Sequence, residues 1–384
     1  MRTATTSWRY FDFWLLGAVA VLTIFGITMI RSAVAGNIEL TTETNLVNRQ
    51  LIFAALGLAV VLIIASIDYH LWASMSRTLY IGTAITLLVV NVIGNALFGS
   101  ARWFQAGLIL IQPSEFAKIV VIIVLADFFT RHSHDTQGFR LIYRSFFYAM
   151  GIMIWIILQP NLSTSIVILV IWLALLWASG LKVRSLVFFL IIGLVIVALL
   201  IPLLIQIDVI KEYQINRVMS FVFPDPEARF GDIYNIQQAL ISIGSGGWIG
   251  QGYGQGSQVQ LRFLKVRWSD YIFSAMAEEF GFIGTALVTL VFLFIVFRCL
   301  RTARLARDTF GAMIAFGVAT MLAFQGIVNI GVNLNLLPAT GLTFPFVSYG
   351  GSSLLSALIG IGLCQSVILR HKALELSAGS GTNN

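Results

Sequence analysis

The sequence predicts an all-α polytopic membrane protein of about ten transmembrane helices, with a long extracytoplasmic loop between the seventh and eighth helices. Of its 384 residues, 58% are hydrophobic and 11% are charged, and the mean hydropathy is +0.90. Soluble domains carry about 25% charged residues, whereas a membrane helix needs about 20 mostly apolar residues. Such segments recur along the chain as continuous apolar runs rather than alternating patterns, which selects helices.

The apolar runs place ten spans along the chain. We predict them at 12–34, 50–67, 78–97, 112–130, 145–160, 164–180, 185–206, 271–297, 311–334 and 344–369. The fifth and sixth spans are short and meet at the sequence QPN. All ten belong to one membrane domain at 1–372 that includes the long loop at 207–270. The small polar segment 373–384 is predicted to be a disordered cytoplasmic tail.

Basic residues in the short loops predict the orientation, because Lys and Arg collect on the cytoplasmic side of a membrane. Most of them fall on one side of the predicted bundle, in a set that begins with Arg2 and Arg9 and ends with Arg370 and Lys372. Both termini are therefore predicted to be cytoplasmic, and the long loop is predicted to be extracytoplasmic.

Charge and cysteine content exclude several function classes. The net charge of +7 and the pI near 9.6 follow from the basic loops, which contact anionic lipid headgroups. Basic residues are not interleaved with exposed aromatic residues in a soluble module, so we predict no nucleic-acid binding. Cys299 and Cys364 lie near predicted cytoplasmic helix ends, which argues against a disulfide framework or a thiolate metal site.

The polar segment GSARWFQAGLILIQPSEFAK follows the third span. Its proline begins a helix near the first turn, where proline is tolerated, and Gln112, Glu115 and Lys118 then fall along one stripe. Opposite charges survive at membrane depth by pairing, so one interpretation is a structural salt bridge between Glu115 and Lys118 that pins two helices. The functional alternative is an anion or sugar site that uses Arg102 and Lys118.

The long loop contains the glycine-rich stretch SIGSGGWIGQGYGQG. Glycine permits tight turns and close backbone approach, and glycine-rich loops can cradle phosphates. There is no Walker pattern and no preceding strand, so an ATP site is disfavoured. We predict a flexible loop that covers a substrate, with short amphipathic pieces at the membrane interface.

The loop ends at LKVRWSDYIFSAMAEEFG, where charged residues stand at the start of an apolar helix. Asp270, Ser274 and Glu278 recur at i, i+4 and i+8 and share one face. Asp270 is either an N-cap that accepts from free N–H groups or a general base tuned by burial and by the nearby charges of Lys265 and Arg267. Ionisable residues at membrane depth are candidate functional residues.

A further polar stretch, QGIVNIGVNLNLLPATGLTFPFVSYGGSS, leads into the last span. Gln325, Asn329 and Asn333 recur every four residues, which favours interhelical hydrogen bonding. Prolines and glycines then break the chain at membrane depth, where irregular backbone is tolerated inside protein or around a cavity. Ser348 and Ser352 begin the last helix and are candidates to line that cavity. The broken segments fall on one predicted side, so we expect a single extracytoplasmic cavity.

These segments together resemble the SEDS family of bacterial cell-wall polymerases (shape, elongation, division and sporulation). The matching motifs, in the expected order, are GSARW, QPSEFAK, QPNLSTS, YQINRVMSF, PDPE, YNIQQALISIGSGGWIGQGYGQG, SDYIFSAMAEEFG and NLLPATGLTFPFVSYGGSS. The ISIGSGG motif and Gln159 before Pro160 are more similar to the elongation-type member, RodA, than to the division-type member, FtsW. The sequence therefore predicts the elongation type, with a role in cell elongation and shape.

The resemblance implies a peptidoglycan glycosyltransferase of the bacterial cytoplasmic (inner) membrane. Its substrate would be lipid II, a disaccharide-pentapeptide on undecaprenyl diphosphate, polymerised into β-1,4 glycan strands. The implied partner is a class B penicillin-binding protein, a single-span transpeptidase. No cofactor is assigned, and a divalent cation (Mg or Mn) stays open.

The resemblance also implies roles for individual residues. Asp270 matches the family's essential acid and is expected to accept the proton of the acceptor sugar's 4-hydroxyl as that oxygen attacks the donor. Arginine forks match phosphate oxygens, so the leaving diphosphate is expected to meet the basic residues Arg49, Arg102, Lys118 and Arg217. The other candidate substrate contacts are Gln112, Glu115, Ser348 and Ser352.

Two departures from the family pattern affect this site. Asn161 stands where the family usually carries an aspartate, which removes a carboxylate there. The run KVRWS at 265–269 replaces a Pro-Glu-x-His-Thr pattern. The surroundings of Asp270 are therefore more cationic, and a divalent-metal site around that loop is weakened.

Three alternatives stay open at this point. A flippase for a lipid-linked substrate explains the helices and the cavity equally well, although transporters more naturally place ionisable residues at the bilayer midplane. A scaffold that only recruits a partner enzyme predicts that Asp270, Glu115 and Lys118 are individually dispensable. The third alternative is a division-type, FtsW-like polymerase.

Overall fold

The computed structural model describes residues 8–35, 45–93, 95–97, 100–106, 109–132, 139–185, 211–223 and 231–379, with isolated positions between 187 and 206. A short 3-10 turn at Trp8–Tyr10 comes first. The helices within these residues are α1 (Phe13–Val34), α2 (Leu46–Ser66), α3 (Tyr69–Ser74), α4 (Ser76–Ile93), α5 (Pro113–Arg131), α6 (Phe139–Leu158), α7 (Leu162–Ala178), α8 (Glu212–Val222), α9 (Gly231–Gly246), α10 (Ser257–Gln260), α11 (Ile272–Leu305), α12 (Thr309–Asn333) and α13 (Gly351–Gly379).

The long helices confirm the predicted polytopic membrane fold. In the described part of the chain, six helices are long and apolar enough to cross a membrane: α1, α2, α6, α11, α12 and the first part of α13. The shorter apolar helices α4 and α7 occupy the predicted third and sixth spans, and α5 occupies the fourth. The predicted seventh span, 185–206, falls for the most part outside the described residues.

Helix α5 lies at the centre of the bundle and contacts α4, α6, α7, α12 and α13. Between the charged residues near its two ends the helix is apolar on every face, and most residues from Pro113 to Phe129 are buried. A helix that is apolar all round is buried by its neighbours rather than by one face. The charged residues at its start are therefore carried into the protein interior.

A small antiparallel sheet lies where the sequence predicted only the end of a span and a polar break. Its strands β1 (Asn95–Leu97), β2 (Ser100–Ala106) and β3 (Ile109–Ile111) pair in the order β1-β2-β3. Helix α4 consequently ends at Ile93, before the predicted end of the third span. Strands this short give no readable alternation in sequence, whereas pairing across them satisfies their backbone N–H and C=O groups.

The glycine-rich part of the long loop is docked on helix α11, so the prediction of a flexible covering loop is wrong for this part. Helix α11 breaks at Gly281, where φ is 65° and ψ is −169°. Around the break, Phe282 N donates to Gly247 O at 2.8 Å and Gly252 N donates to Glu279 O at 3.0 Å. The loop thus supplies hydrogen bonds that a continuous helix would make within itself.

The buried carboxylate of Glu278 anchors the next part of the loop. It accepts hydrogen bonds from Gln258 N at 2.8 Å, Val259 N at 3.2 Å and Ser257 Oγ at 3.3 Å. These donors belong to the first turn of α10, whose free N–H groups favour a negative charge. Glu278 therefore fixes the loop shortly before it reaches Asp270.

The last helix begins at Gly351, after an irregular segment at 334–350, rather than at the predicted 344. Its backbone runs on to Gly379. The first residues of the segment 373–384, for which the sequence predicts disorder, are thus helical, and residues 380–384 lie outside the described part of the chain.

At the far end of the bundle from Asp270, a half-buried arginine is paired with a carboxylate. Arg298 of α11 donates through Nε to Asp12 Oδ2 at 2.8 Å, and its Nη2 donates to the same oxygen. Gln365 of α13 exchanges two hydrogen bonds with the main chain of Asp12, at 2.8 and 3.0 Å. This arrangement ties α1, α11 and α13 together.

Candidate active site

Asp270 lies immediately before Tyr271, the N-cap residue of α11, which makes no side-chain capping bond. Asn333, at the end of α12, supplies the cap: its Oδ1 accepts from Ser274 N at 3.1 Å and from Ser274 Oγ at 2.6 Å. The Asn333 Nδ2 donates to Asp270 O at 2.9 Å. The N-cap interpretation of Asp270 is therefore wrong, because Tyr271 is the N-cap residue and the donors of Ser274 are satisfied from a neighbouring helix.

The half-buried carboxylate of Asp270 lies beside a cationic residue. Its Oδ1 accepts from Ser269 Oγ at 3.0 Å. A Cβ built on Gly341 would lie 3.7 Å from Asp270 Oδ2 and 3.9 Å from Arg217 Nη1. Gly341 is exposed and has a φ of 74°, which L side chains rarely adopt. The carboxylate of Asp270 and the guanidinium of Arg217, both predicted from sequence as site residues, therefore lie close to the same glycine. Gly341 has no side chain to separate them.

Helix α8 of the long loop carries Arg217 to this point. Two side chains fasten the start of α8 to the turn between α6 and α7: Tyr213 Oη and Gln214 Nε2 each donate to Pro160 O at 2.9 Å. The Arg217 guanidinium also lies 5.7 Å from the centroid of the Tyr213 ring, within the range of a cation–π contact. The position of Arg217 is thus set by contacts outside its own helix.

The irregular segment before α13 holds the main chain next to Asp270. Ser348 Oγ donates to Ser269 O at 2.8 Å and accepts from Phe344 N at 2.8 Å. Tyr349 N donates to Trp268 O at 2.8 Å. The buried hydroxyl of Ser348 is therefore taken up by main-chain groups and positions the turn that carries the acid.

Helix α2 contributes two residues behind that segment. Gln50 Nε2 donates to Ser348 O at 3.3 Å, and Gly350 N donates to Gln50 Oε1 at 3.3 Å. The preceding residue, Arg49, hydrogen-bonds the side chain of Tyr349. The structure therefore brings the predicted Arg49 to the segment that holds the acid-bearing turn.

The start of α5 forms a second polar group beside the start of α13. Gln112 N donates to Ser352 Oγ at 2.9 Å, and Ser356 Oγ donates to Glu115 O at 2.7 Å. Lys118 Nζ donates to Glu115 Oε2 at 2.7 Å, with 1% of the Lys118 side chain and 9% of the Glu115 side chain exposed. The predicted salt bridge exists, but it lies within one helix and does not itself join two helices.

Two further positions that the sequence analysis singled out are Arg102 and Asn161. Arg102 lies in strand β2, and its side chain is outside the described part of the structure. Asn161 caps α7 by accepting from Thr164 N at 3.3 Å, and its Nδ2 donates to Ser114 Oγ at 3.2 Å. An amide can donate where a carboxylate cannot, so Asn161 suits this buried structural position.

The described residues contain no group of three or more His, Cys, Asp or Glu side chains arranged to hold a metal ion. At the acid, the guanidinium of Arg217 lies close to the same glycine as the carboxylate, and its positive charge repels a cation. These residues do not fit a protein-held site for the magnesium or manganese that the sequence left open.

Sequence reasoning missed residues that support the acid. It assigned Asn329 and Asn333 to interhelical hydrogen bonding, which is confirmed, but not to Asp270. Asn329 Nδ2 donates to Asp270 O at 3.1 Å and to Leu342 O at 2.8 Å. It missed Gln50 altogether, although a glutamine within an apolar span was an available signal.

Comparison with known proteins reveals full-length relatives. The profile of the family described as cell cycle protein (FtsW/RodA/SpoVE) matches residues 13–373. A probable peptidoglycan glycosyltransferase FtsW from Hydrogenovibrio crunogenus is 36% identical over 377 residues, which cover 95% of this chain and 94% of the relative. Stage V sporulation protein E from Bacillus subtilis is 34% identical over 366 residues, which cover 93% and 96%.

Solved structures share the fold. A chain from a peptidoglycan synthase complex, described as coordinating polymerization and crosslinking, aligns with a TM-score of 0.75 and 26% identity, covering 94% of this chain and 98% of that chain. The rod shape determining protein RodA of Thermus thermophilus aligns with a TM-score of 0.67 and 26% identity, covering 94% and 97%.

The prediction of the elongation type is wrong, because the most similar curated relatives include proteins named FtsW at 33–36% identity. A short motif such as ISIGSGG carries less information about subtype than similarity summed over the whole chain. The prediction of a glycosyltransferase is confirmed by the relatives' names. The chain therefore belongs to the FtsW/RodA/SpoVE family of polytopic membrane proteins.

Proposed function

We propose that this chain is a division-type, FtsW-like peptidoglycan glycosyltransferase that polymerises lipid II at the outer face of the bacterial cytoplasmic membrane. The relatives' names support both the reaction class and the subtype. The observation that carries the proposal is the meeting of the Asp270 carboxylate with Arg217 around Gly341. A base beside a cation suits a reaction that removes a proton and expels an anion.

In the proposed reaction, Asp270 accepts the proton of the 4-hydroxyl on the acceptor's GlcNAc. The hydroxyl oxygen bonds to the anomeric carbon of the lipid-linked donor while the bond from that carbon to the diphosphate oxygen breaks. Undecaprenyl diphosphate leaves with the electron pair. Attack opposite an α-linked diphosphate inverts the carbon and forms a β-1,4 link.

The surrounding residues fall into two proposed roles. Arg217 neutralises the negative charge that develops on the leaving diphosphate, with Arg102 and Arg49 as further basic residues of the same site. Glu115 already neutralises Lys118, and both are buried. We therefore assign that pair to holding the start of α5, where Gln112 and Ser352 meet, rather than to direct contact with the diphosphate. No step is routed through a metal ion.

The proposal includes a membrane orientation and a partner. Both termini lie in the cytoplasm, which puts the Asp270 end of the bundle outside, as the basic loops predict. A class B penicillin-binding protein is the proposed partner, supported by the alignment with a chain from a peptidoglycan synthase complex.

The test is glycan synthesis from labelled lipid II by the full chain with its cognate penicillin-binding protein in vesicles. We expect polymer from the wild type and a rate at least about 100-fold lower for Asp270→Asn. Asp68→Asn is the matched control, since it changes an aspartate before another helix, at the opposite end of the bundle.

Each other outcome has a definite meaning. Polymerisation by Asp270→Asn at the wild-type rate would remove the assigned base. If the wild type makes no polymer but carries intact lipid II across the vesicle membrane, the chain is a flippase.

A further inference from the structure

Arg267 is a buried arginine with an unused binding edge. Only 3% of the residue is exposed, and its Nε and Nη2 make no hydrogen bond to the residues that the structure describes. Its Nη1 donates to Leu264 O at a long 3.4 Å, and the guanidinium lies 5.6 Å from the Trp268 ring centroid. Burial and, to a smaller extent, the charge of Arg262 together lower the pKa of Arg267 to about 10, so the side chain stays charged at neutral pH.

The two unused atoms belong to the same side of the guanidinium. Nε and Nη2 form one edge of the planar group, and that edge can give parallel hydrogen bonds to two oxygens of a carboxylate or phosphate. In Arg298 the same edge is occupied by the carboxylate of Asp12. Buried charges are ordinarily paired. Arg267 therefore has the form of one half of an ion pair, with the other half supplied by a ligand.

The surroundings favour an anion with several charges. Arg262 and Lys265 lie on the same turn as Arg267. Asp270 follows Arg267 by three positions, and Arg217 lies close to Asp270. Three residues span at most about 11 Å, so one lipid-linked substrate can reach both positions. A single carboxylate would balance only part of this positive charge, whereas a diphosphate carries enough negative charge for several cations.

The turn that carries Arg267 is strained and lies at the surface. Val266 has a φ of 50° and Arg262 a φ of 65°, and this region is especially unfavourable for a β-branched residue. Lys265 and Val266 are exposed. The next residue, Trp268, is held by the main chain of Tyr349. A local opening before Trp268 would relieve the strain and uncover the guanidinium edge.

We propose that Arg267 binds the diphosphate of the lipid-linked substrate through the Nε–Nη2 edge of its guanidinium, after the turn 262–267 opens. This inference rests on the proposed function, because it adds a contact to the same substrate. Arg217 and Arg267 then approach the diphosphate from two elements, while Asp270 faces the acceptor hydroxyl.

The test measures binding of geranylgeranyl diphosphate to the full-length chain in phosphatidylcholine nanodiscs, with uncharged geranylgeraniol as the comparison ligand. We expect Arg267→Met to bind the diphosphate at least about tenfold more weakly than the wild type, since charge-assisted bonds are lost. Arg267→Lys, which keeps the charge without the fork, should fall between them. Thermal stability of Arg267→Met should equal or exceed that of the wild type, because an unpaired buried charge has been removed.

The matched control is Arg298→Met, which removes an arginine of equal charge whose edge is already filled. It should bind the diphosphate like the wild type while losing thermal stability. Unchanged binding by Arg267→Met, or equal competition by phosphatidylglycerol headgroups, would overturn the assignment. Binding is measured without polymerisation, so a wild type that polymerises while Arg267→Met binds normally contradicts only this inference. A wild type that binds through Arg267 but makes no polymer contradicts only the proposed function.

Discussion

Gly250 and Gly281 meet backbone to backbone where the glycine-rich segment crosses the break in α11. A Cβ built on Gly281 would lie 2.3 Å from Gly250 N, and one built on Gly250 would lie 2.2 Å from Glu279 O. Both glycines have positive φ values, 65° and 82°. The long loop and the broken helix therefore form one folded unit, in which the loop supplies the hydrogen-bond partners that the break requires.

The first prediction concerns this contact. Gly250→Ala and Gly281→Ala should each lower the free energy of unfolding by at least about 1–3 kcal/mol, from backbone strain and the steric contact together. Gly244→Ala is the matched control, because a Cβ there meets nothing within 4 Å. Thermal unfolding of the three variants checks the prediction, and equal midpoints for all of them would contradict the docked loop.

The second prediction separates chemistry from folding at Asp270. Since Asn333, not Asp270, caps α11, Asp270→Asn should unfold at nearly the wild-type temperature while losing about 10²–10⁴ in polymerisation rate. The measurements are a thermal scan and a single-turnover assay on the same preparation. A large loss of stability in this variant would show that the carboxylate has a structural role.

The third prediction tests the support given by Asn333. Asn333→Leu leaves Ser274 without its acceptor, which should cost about 1–3 kcal/mol for the buried group. The carbonyl of Asp270 then keeps only the hydrogen bond from Asn329 of the two that these asparagines donate. Asn333→Asp keeps an acceptor for Ser274 but loses the donor to Asp270. We therefore expect Asn333→Asp to retain more stability than Asn333→Leu and to lose activity nonetheless, measured by unfolding and polymerisation side by side.

The fourth prediction concerns the buried pair in α5. Lys118→Met leaves the Glu115 carboxylate buried without its cation, and breaking a buried pair in this way costs about 3–5 kcal/mol. The double variant Glu115→Gln with Lys118→Met should recover much of that loss, because no charge is then left unpaired. A double variant no more stable than Lys118→Met, by chemical denaturation, would contradict the assignment of the pair as structural.

The fifth prediction concerns the anchor of the long loop. Glu278→Gln removes the charge that accepts three hydrogen bonds from the start of α10, so residues 257–260 should lose protection from hydrogen exchange. Glu279→Gln serves as the control, since Glu279 accepts from the side chains of Ser32 and Gln260 and from the main chain of Gly254 rather than from the backbone N–H groups of α10. Equal exchange in the 257–260 peptide for both variants would refute the anchoring role.

Some features of the fold and the site could be predicted from the sequence, and others could not. The order of the helices and the acid at the end of the long loop were predictable, because apolar run length and charge position are local properties. The sheet formed by β1, β2 and β3 was not predictable, because its strands contain too few residues to show an alternating pattern. Nor was the docking of the glycine-rich segment, because glycine permits a flexible loop and a close backbone contact equally well.

The sequence by itself determined the class of this protein: a multi-pass helical membrane protein with an ionisable residue, Asp270, where charge is costly. Only the tertiary structure decided what that residue does in the fold. Asn333 caps the helix from another element, Arg217 arrives on a helix of the long loop, and Arg267 is buried with an open edge. These contacts join residues that are far apart in sequence, or they depend on the direction of a side chain. A local sequence pattern encodes neither long-range contacts nor side-chain directions.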